Sequence, residues 1–304
     1  MNSTIVLKLN TVRNEALTYI DELIRESWKD ENQAIGYPRC KDLSELVAEI
    51  EIYENTIEHC VYTVTRNGDR VGMVGFLHSP GDSEGYLIGP FLNPTINRAI
   101  WLPRVLTKFI SKLHNDHQHV DACVVETNNL LCDTLVGMNW KELNRQTEMK
   151  WELGTEATTI HDDKFNFSEL IIKENSAFNQ IAEVMGNGLG WESPKTRLVQ
   201  YLDEAYKVHY VTDQTNKVMG AVIWTIVGGT DFGRLEYLAV NPADRRNGIG
   251  AQLIHYVFQQ TERAGIPRLY LSLDSNNTNA LRLYKKVGFK ETVRSVIFRK
   301  QLSD

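Results

Sequence analysis

The sequence predicts an α/β (α+β) protein that contains the same kind of domain twice, and two observations support this. Apolar runs with the spacing of strands alternate with segments of helical spacing along the 304 residues. Features of the first half also return in the second half: Asn93-Pro94 recurs 148 positions later as Asn241-Pro242, and Asn128 recurs 149 positions later as Asn277. A nearly constant offset between matching segments indicates a duplicated domain.

Composition and charge limit the classes of protein to which this chain can belong. Apolar residues make up 42% of the chain and charged residues 24%, which is typical of globular proteins. No run approaches the ~18 apolar residues of a membrane span. The start of the chain also lacks the basic region and apolar core of a signal peptide. The net charge of −6 disfavours a general nucleic-acid binder. We therefore expect a protein with neither nucleic-acid nor membrane partners.

The cysteines and histidines indicate neither a disulfide framework nor a metal site. All four cysteines lie in the first half and form no Cys-x-x-Cys pair, which favours reduced thiols and a cytoplasmic protein. His114, His117 and His119 lie in one short polar segment. Because no cysteine or acidic cluster completes a ligand set there, we interpret the segment as a helix end and predict no metal.

Local patterns predict the elements of the first domain. Apolar residues at helical spacing indicate helices at Glu15–Glu26 and Leu43–Ile50, and the Asn67-Gly68 turn indicates a hairpin. The other predicted strands and helices of this domain are Cys60–Thr65, Val71–His78, Tyr86–Leu92, Ile96–Leu113, Val120–Glu126, Leu130–Met138 and Gln146–Leu153. The polar, aperiodic segment that follows predicts a linker, which gives bounds of 1–153 for the first domain, 154–164 for the linker and 165–304 for the second domain.

The second domain opens with a predicted strand and then a helix over Ser176–Met185. Gly186, Gly188 and Gly190 are expected to break this helix into a flexible loop before Trp191. The predicted elements that follow this loop are a helix at Leu198–Ala205 and strands at Val208–Thr212, Val218–Val227, Leu235–Val240 and Leu269–Leu273, with further helices around the last of these.

A glycine turn after the central strand predicts a phosphate site. The strand ends at Asn241-Pro242, the basic turn Arg245-Arg246-Asn247 follows, and Gly248 and Gly250 open an apolar-periodic helix. The first N–H groups of a helix have no internal partner, and the helix dipole makes that end partly positive. Glycine lets the backbone close on an anion, and arginines add cationic donors. The glycine spacing differs from that of the Walker loop and of the dinucleotide fingerprint.

A second motif makes the interpretation of this glycine turn more specific. A strand runs into Asn277-x-x-Ala280-x-x-Leu283-Tyr284, and Gly288-Phe289 precedes a final strand. Together the two stretches resemble the GNAT superfamily of acyl-CoA-dependent N-acetyltransferases, over roughly 165–302. The resemblance implies two GNAT folds in tandem, each a mixed, mostly antiparallel sheet flanked by helices, with acetyl-CoA as cosubstrate.

The resemblance also implies which residues hold acetyl-CoA. The backbone of the central strand would pair with the pantetheine amides, the glycine turn would hold the pyrophosphate, and an asparagine would bind the pantetheine arm or position its loop. The strand residues are Leu238, Ala239 and Val240, and the asparagine is Asn277. The residues of the turn are Arg245, Arg246, Asn247, Gly248, Ile249, Gly250 and Ala251.

Acetyl transfer to an amine requires a base and donors for the oxyanion. A simple alkylamine of pKa ~10 must lose a proton before it attacks, and the tetrahedral oxyanion needs N–H donors. By resemblance, Glu236 is the candidate base through water, and Tyr284 donates to the departing thiolate. An exposed strand residue or a salt bridge stays the alternative for Glu236. Trp191 and Glu192 are acceptor-site candidates, with plain packing as the alternative for Trp191.

The first domain is expected to be a degenerate, non-catalytic copy. At the offset of 148, Ile100 and Leu102 stand in the places of Gly248 and Gly250, where the pyrophosphate needs bare backbone. Ile88 likewise replaces Glu236, and Leu135 replaces Tyr284 at the offset of 149. A second acyl-CoA site in this domain stays an alternative.

The sequence therefore predicts an acetyl-CoA-dependent N-acetyltransferase that acts by direct transfer in a ternary complex. The second domain contains no cysteine to carry an acyl group, which disfavours a ping-pong route. The acceptor would be a small-molecule amine or a peptide N-terminus, and the protein a monomer or homodimer. The alternative is a non-catalytic acyl-CoA-binding sensor or scaffold.

Overall fold

The computed structural model describes residues 7–113, 117–154, 165–171, 176–228 and 230–302. The chain divides into two compact units: unit 1 is Met1–Gln146 with Val293–Asp304, and unit 2 is Thr147–Thr292. Within the described ranges, no helix combines the length and the apolar character that crossing a membrane would require.

The first half of the chain contains five helices and seven strands among its described residues. In chain order these are β1 (Leu7–Thr11), α1 (Leu17–Lys29), β2 (Ile35–Tyr37), α2 (Leu43–Ile52), α3 (Ile57–Cys60), β3 (Val61–Arg66), β4 (Asp69–Leu77), β5 (Glu84–Leu92), α4 (Arg98–Leu113), β6 (His119–Val125), α5 (Asn129–Gly137) and β7 (Lys141–Glu152).

The second half repeats a similar order. Its described elements are β8 (Asn166–Glu169), α6 (Ser176–Leu189), α7 (Pro194–Asp203), β9 (Lys207–Thr212), β10 (Val218–Ile226), β11 (Phe232–Val240), α8 (Ile249–Arg263), β12 (Arg268–Asp274), α9 (Thr278–Lys286) and β13 (Lys290–Gln301). The predicted strands and helices are present in the described residues, with ends that shift by a few positions, except that the predicted loop is helical at Gly186 and Gly188.

Each unit has a mixed, mostly antiparallel sheet. The strand order is β1-β3-β4-β5-β6-β13 in unit 1, with β2 also on β6, and β7-β12-β11-β10-β9-β8 in unit 2. The pairs β5–β6 and β11–β12 are parallel, and every other pair whose register is described is antiparallel. This arrangement confirms the predicted fold class.

The two units exchange strand segments along the chain. Thr147–Glu152, the second half of β7, belongs to unit 2, where Thr147 hydrogen-bonds to Ser275 at 2.8 Å. Ser295–Gln301 of β13 belongs to unit 1, where it pairs antiparallel with β6. The bounds predicted from the sequence, 1–153 and 165–304, follow chain order and assign both segments to the other unit. Residues 155–164 of the predicted linker lie outside the described part of the chain.

Helices cover both faces of the unit 2 sheet, and the central strand β10 is buried on both sides. Val222 and Trp224 pack in the core beneath α8, whereas Ala221 and Ile223 pack in the core beneath α6. Side chains alternate between the two faces of a strand, so a strand covered on both faces reads as one continuous apolar run. This explains the continuous apolar run from Val218 to Trp224.

Helix α6 corrects one prediction, because it continues through Gly186 and Gly188 to Leu189 instead of ending at Met185. A Cβ atom at Gly188 would lie 2.9 Å from the Cβ atom of Ala239 on β11. Glycine at this position therefore permits close packing of a helix on the sheet, and it does not create a flexible loop. The helix ends at Gly190, which has the left-handed φ of +72° that favours glycine after a helix.

Replacing Gly188 by alanine should lower stability. Alanine gains about 1 kcal/mol over glycine in a helix, but overpacking against Ala239 costs about 1–3 kcal/mol. The matched control is Gly137→Ala in α5, where an added Cβ meets nothing within 4 Å and should stabilise. Calorimetric melting temperatures should fall for Gly188→Ala and rise slightly for Gly137→Ala. A rise for both would contradict the close contact.

Candidate functional site

A cleft separates β11 from β12 in unit 2. The two strands pair only where Phe232–Arg234 meets Arg268–Tyr270, although β11 continues to Val240. In the described part of unit 2, no other strand pairs with this edge of β11. The backbone groups of β11 after Arg234 therefore have no partner strand on the side that faces β12.

The backbone of β11 turns alternate peptide groups toward this cleft. The N–H of Asn241 donates to the carbonyl of Met219 at 2.8 Å, on the side of β10. Because the hydrogen-bonding groups of an antiparallel strand alternate, the groups of Val240 and Leu238 point away from β10 and into the cleft. Those of Ala239 point toward β10, so only two of the three residues predicted to pair with pantetheine can do so.

Glu236 occupies a β-bulge in β11. Opposite Ile223 and Trp224 of β10, β11 carries one extra residue, and that residue is Glu236. The bulge shifts the alternation of side chains. Leu235 and Leu238 therefore pack in the same core beneath α8, although they are three positions apart.

The glycine turn presents an uncapped helix N-terminus. Gly248 is the N-cap of α8 with φ +79°, and no side chain caps it. Arg246 also has a left-handed φ, of +66°. The first helical hydrogen bond recorded at this end runs from the N–H of Gln252 to the carbonyl of Gly248. The N–H groups of the first turn are thus suited to bind an anion.

Packing explains the second glycine of the turn. Gly250 is buried, and a Cβ atom there would lie 3.1 Å from Cδ2 of Leu283 in α9 and 3.7 Å from side chains of Leu238 and Val240. Gly250 therefore brings the start of α8, the end of β11 and α9 together. The side chains of Ile249 and Ala251 are buried in the same core, so these residues could contact a ligand through their backbone.

The two arginines of the turn differ in their contacts. Nε of Arg245 donates to the carbonyl of Val240 at 3.3 Å, which places its guanidinium at the end of β11. Arg246 and Asn247 are exposed. To bind an anion, Arg245 would first have to break its hydrogen bond to the Val240 carbonyl, whereas Arg246 would not.

Asn277 caps α9. Its side-chain oxygen accepts the N–H of Ala280 at 3.1 Å, and the residue is exposed. In unit 1, Asn128 caps α5 through the N–H of Leu131 at the same distance of 3.1 Å. The cap uses the oxygen of each amide, which leaves the NH2 group to donate elsewhere.

Tyr284 is buried in α9, with 7% of its surface exposed. It packs edge-on against Phe289, with ring centroids 5.5 Å apart. Burial raises the pKa of its phenol well above the usual value. Tyr284 therefore stays protonated over the physiological range and can act there as a hydrogen-bond donor.

Glu236, the predicted base, forms an ion pair with Nε of Arg234. Nη2 of Arg234 also donates to the Tyr206 hydroxyl at 3.3 Å. Burial alone would lower the pKa of Arg234, but Glu236 and Tyr206 outweigh this effect and raise it. The salt bridge that the sequence left open for Glu236 is therefore present. Arg234 was missed in the sequence. Arg234 and Glu236 carry opposite charges two positions apart on one strand, and this pattern could have indicated the ion pair.

An aromatic cluster of Trp191, Arg197, Tyr201 and Tyr237 lies beside the bulge. The Trp191 ring meets Tyr237 edge-on at 5.0 Å, and the Arg197 guanidinium lies 4.5 Å from the centroid of the Trp191 ring. The Tyr201 hydroxyl donates to the Tyr237 hydroxyl at 3.2 Å. Burial and this hydrogen bond raise the pKa of Tyr201. Trp191 is only 7% exposed, so packing accounts for much of its environment, whereas Glu192 is exposed.

Sequence reasoning found one member of the aromatic cluster and missed the other three. Arg197 and Tyr201 lie four positions apart and so share a face of α7. Tyr237 follows the bulge, which no sequence pattern revealed.

As to metals, the described residues contain no group of three His, Cys, Asp or Glu side chains that could hold an ion. His114 lies outside the described residues.

The sequence of unit 2 matches a known family. Residues 178–289 match the model of the Acetyltransferase (GNAT) family. This range contains the cleft, the glycine turn and the helix of Tyr284. The part of unit 2 that contains the candidate site therefore matches the GNAT family model.

Named relatives share part of this chain at low identity. A mycothiol acetyltransferase of Mycobacterium sp. (strain JLS) is 28% identical over 125 residues, which are 40% of this chain and 41% of the relative. A [ribosomal protein bS18]-alanine N-acetyltransferase of Escherichia coli (strain K12) is 30% identical over 29% of this chain and 58% of its own length. The chain thus matches only 41% and 58% of the lengths of these two relatives.

Solved structures show the same fold along the whole chain. A GCN5-related N-acetyltransferase from Sphaerobacter thermophilus has a TM-score of 0.71 at 15% identity, over 97% of this chain and 96% of that one. A tandem GNAT protein from the clavulanic acid biosynthesis pathway has a TM-score of 0.61 at 10% identity, over 99% of both chains. The fold is therefore that of a tandem GNAT protein.

Removing the hydroxyl of Tyr284 should change stability little, because its packing resides in the ring. Tyr284→Phe should unfold within about 1 kcal/mol of the wild type, as expected for the loss of at most one hydrogen bond. Tyr284→Ala should cost about 3–5 kcal/mol, since a buried ring is lost. Urea unfolding of both variants tests this. A large loss for Tyr284→Phe would mean that the hydroxyl holds the fold together and would weaken its assignment to chemistry.

Proposed function

We propose that unit 2 is an acetyl-CoA-dependent N-acetyltransferase that transfers the acetyl group directly to a primary amine. The observation that carries the proposal is the convergence at Gly250. There the cleft-facing backbone of β11, the uncapped N-terminus of α8 and the helix of Tyr284 meet within one acetyltransferase-family domain.

The residues present fit acetyl-CoA at three points. The N–H groups at the start of α8, with Arg246 beside them, would hold the pyrophosphate. The carbonyl of Leu238 and the N–H of Val240 would pair with the amides of the pantetheine arm, as one strand pairs with another. The NH2 group of Asn277 would donate to a carbonyl of the same arm.

Acetyl-CoA would supply the acetyl group as a thioester. The Leu238 N–H, which faces the cleft, is suited to stabilise the oxyanion. Tyr284, held neutral by burial, would donate its proton toward the departing thiolate sulfur. Glu236, through a water molecule, would take the proton that the amine loses as its nitrogen bonds to the carbonyl carbon.

The acceptor would lie against the aromatic cluster, near Glu192. The cluster adjoins Glu236 on β11, since Tyr237 is the next residue along the strand. One relative is named a [ribosomal protein bS18]-alanine N-acetyltransferase, and this name supports a peptide N-terminus among the two acceptor classes of the proposal. The other class, a small-molecule amine, is proposed on the chemistry of the reaction alone.

A non-catalytic acyl-CoA sensor or scaffold is the second candidate, and the ion pair between Glu236 and Arg234 favours it. A carboxylate paired with a guanidinium would have to leave that pair before it could contact the water or the amine. The two candidates differ in thiol release from acetyl-CoA, which a transferase produces with a suitable amine and a sensor does not.

Tyr284→Phe should slow that release without weakening acetyl-CoA binding. General acid catalysis contributes on the order of 100-fold or more, so kcat should fall by about that factor in a thiol-release assay with a mixture of small amines and peptides. The dissociation constant of acetyl-CoA, measured by calorimetry, should stay within about twofold, because the phenyl ring preserves the packing. Unchanged turnover would remove Tyr284 from the mechanism.

Glu236→Gln should abolish the acid limb of the pH–rate profile, because glutamine cannot take up a proton. The rate on the plateau should fall by about 100-fold. Arg234→Gln is the matched control, since it removes the ion pair and keeps the carboxylate, so its acid limb should persist. If Glu236→Gln keeps the wild-type profile, the carboxylate only neutralises Arg234, and the base lies elsewhere.

A further inference from the structure

Unit 1 contains the same type of cleft as unit 2. Its parallel strands β5 and β6 pair only where Glu84–Tyr86 meets His119–Asp121, and they separate beyond these residues. The N–H of Asn93 donates to Val71 at 2.9 Å on the side of β4. By the same alternation as in β11, the peptide groups of Leu92 then face the cleft.

A segment of the chain itself fills this cleft. Strand β2 pairs antiparallel with β6, with Ile35 opposite Val124 and Tyr37 opposite Cys123. Between them, a Cβ atom at Gly36 would lie 2.1 Å from Oγ of Ser295 and 2.8 Å from Sγ of Cys123. The segment thus lies so close to the sheet that only a glycine fits at this position.

Gln33, just before β2, pairs with the other wall of the cleft. Its buried side-chain oxygen accepts the N–H of Leu92 at 2.7 Å. At the offset of 148 that the sequence shows, Leu92 matches Val240. Gln33 therefore provides in unit 1 an amide carbonyl for the backbone group whose counterpart in unit 2 is assigned to pantetheine.

Ala34 supplies the second contact. The NH2 group of Asn128, a residue that is 1% exposed, donates to the carbonyl of Ala34 at 3.0 Å. Asn128 matches Asn277 at the offset of 149. One segment thus reaches both the β5 wall and the asparagine at the start of the following helix.

Asp30 supplies the third contact, and it carries a negative charge. Its carboxylate lies 2.6 Å from Nη1 of Arg98, the first residue of α4. Burial alone would raise the pKa of Asp30, but hydrogen bonds from Arg98 and from the N–H of Asn32 lower it. Arg98 matches Arg246 at the offset of 148. An anion of the chain therefore lies on the counterpart of the arginine assigned to the pyrophosphate.

Helix α4 also covers the positions that form the glycine turn in unit 2. It starts at Arg98, whereas the counterpart of the first residue of α8 is Trp101. Leu102 is 4% exposed and packs in the core, while Ile88 and Leu135, the counterparts of Glu236 and Tyr284, are fully buried. Unit 1 therefore has side chains and helix where unit 2 has bare backbone.

We propose that the segment Asp30–Tyr37 replaces acyl-CoA in unit 1, so that unit 1 binds no acyl-CoA and the chain carries one acyl-CoA site. The segment presents an anion, an amide carbonyl and a peptide carbonyl to the counterparts of Arg246, Val240 and Asn277. This inference rests on the proposed function, which assigns those three residues to acetyl-CoA. As a replacement, the segment would hold unit 1 in its folded form without a cosubstrate.

The packing of the segment and its covalent attachment support this replacement. The cavity beside it, lined in part by Ala34, Ile35, Ile88 and Phe91, measures about 20 Å³, which is room for about one water molecule. A tethered segment also acts at an effective concentration on the order of millimolar. Free acyl-CoA would have to displace it and break the three contacts together.

Calorimetric titration with CoA and with acetyl-CoA tests the number of sites. The wild type should bind one molecule per chain. Arg246→Ala should weaken this binding by at least fivefold, while the matched variant Arg98→Ala should leave it unchanged. Two sites in the wild type would overturn the inference and leave the proposed function standing. An absence of binding would overturn the proposed function and, with it, the assignment of the segment.

Hydrogen exchange followed by mass spectrometry tests the position of the segment. In the wild type, the amides of residues 33–37 should exchange slowly and at the same rate with and without CoA. Gly36→Ala should speed their exchange at least tenfold, because its methyl group collides with Ser295 and Cys123. Gly137→Ala, which meets nothing within 4 Å, is the control. Fast exchange in the wild type, or slowing of these amides by CoA, would overturn the inference.

Discussion

Both units depend on two parallel strands that pair for only three residues and then separate. The short pairing of β5 with β6 and of β11 with β12 leaves backbone N–H and carbonyl groups of a central strand without a partner strand on one side. Unpaired backbone groups in a fold interior cost free energy unless another partner satisfies them. The open edge in each unit therefore needs a partner, and the two units differ in which partner their residues suit.

In unit 1 the partner belongs to the chain. Gln33 bonds the β5 wall, β2 pairs with β6, and Asp30 neutralises Arg98. Under the proposed function, the partner in unit 2 is external and is acyl-CoA. The turn before α8 is exposed and uncapped, and Gly250 keeps side chains out of the meeting point of three elements.

The sequence predicted the parts of the site that are contiguous in the chain. The glycine turn and the helix of Tyr284 each depend on a few consecutive residues, so local rules suffice. The offset between the halves likewise predicted the duplication, because it needs only matching positions. The strands and helices were predicted for the same reason, since the spacing of apolar residues is local.

The features that the sequence did not predict depend on residues distant in the chain. Gly188 allows α6 to pack closely against Ala239, and no local rule distinguishes such a glycine from one in a flexible loop. The bulge at Glu236 reflects the register with β10, which side-chain alternation along one strand does not reveal. The exchange of β7 and β13 segments, and the pairing of β2 with β6, also require knowledge of strand pairing. Arg197, Tyr201 and Tyr237 of the aromatic cluster were missed because they converge only in the folded unit.

The most direct test of the account is a crystal structure of the protein with acetyl-CoA bound. The account predicts one ligand per chain, with its pyrophosphate at the N-terminus of α8 and its pantetheine arm between β11 and β12. The segment 30–37 should be unchanged between β5 and β6. Pantetheine density between β5 and β6, or a ligand bound away from the glycine turn, would contradict it.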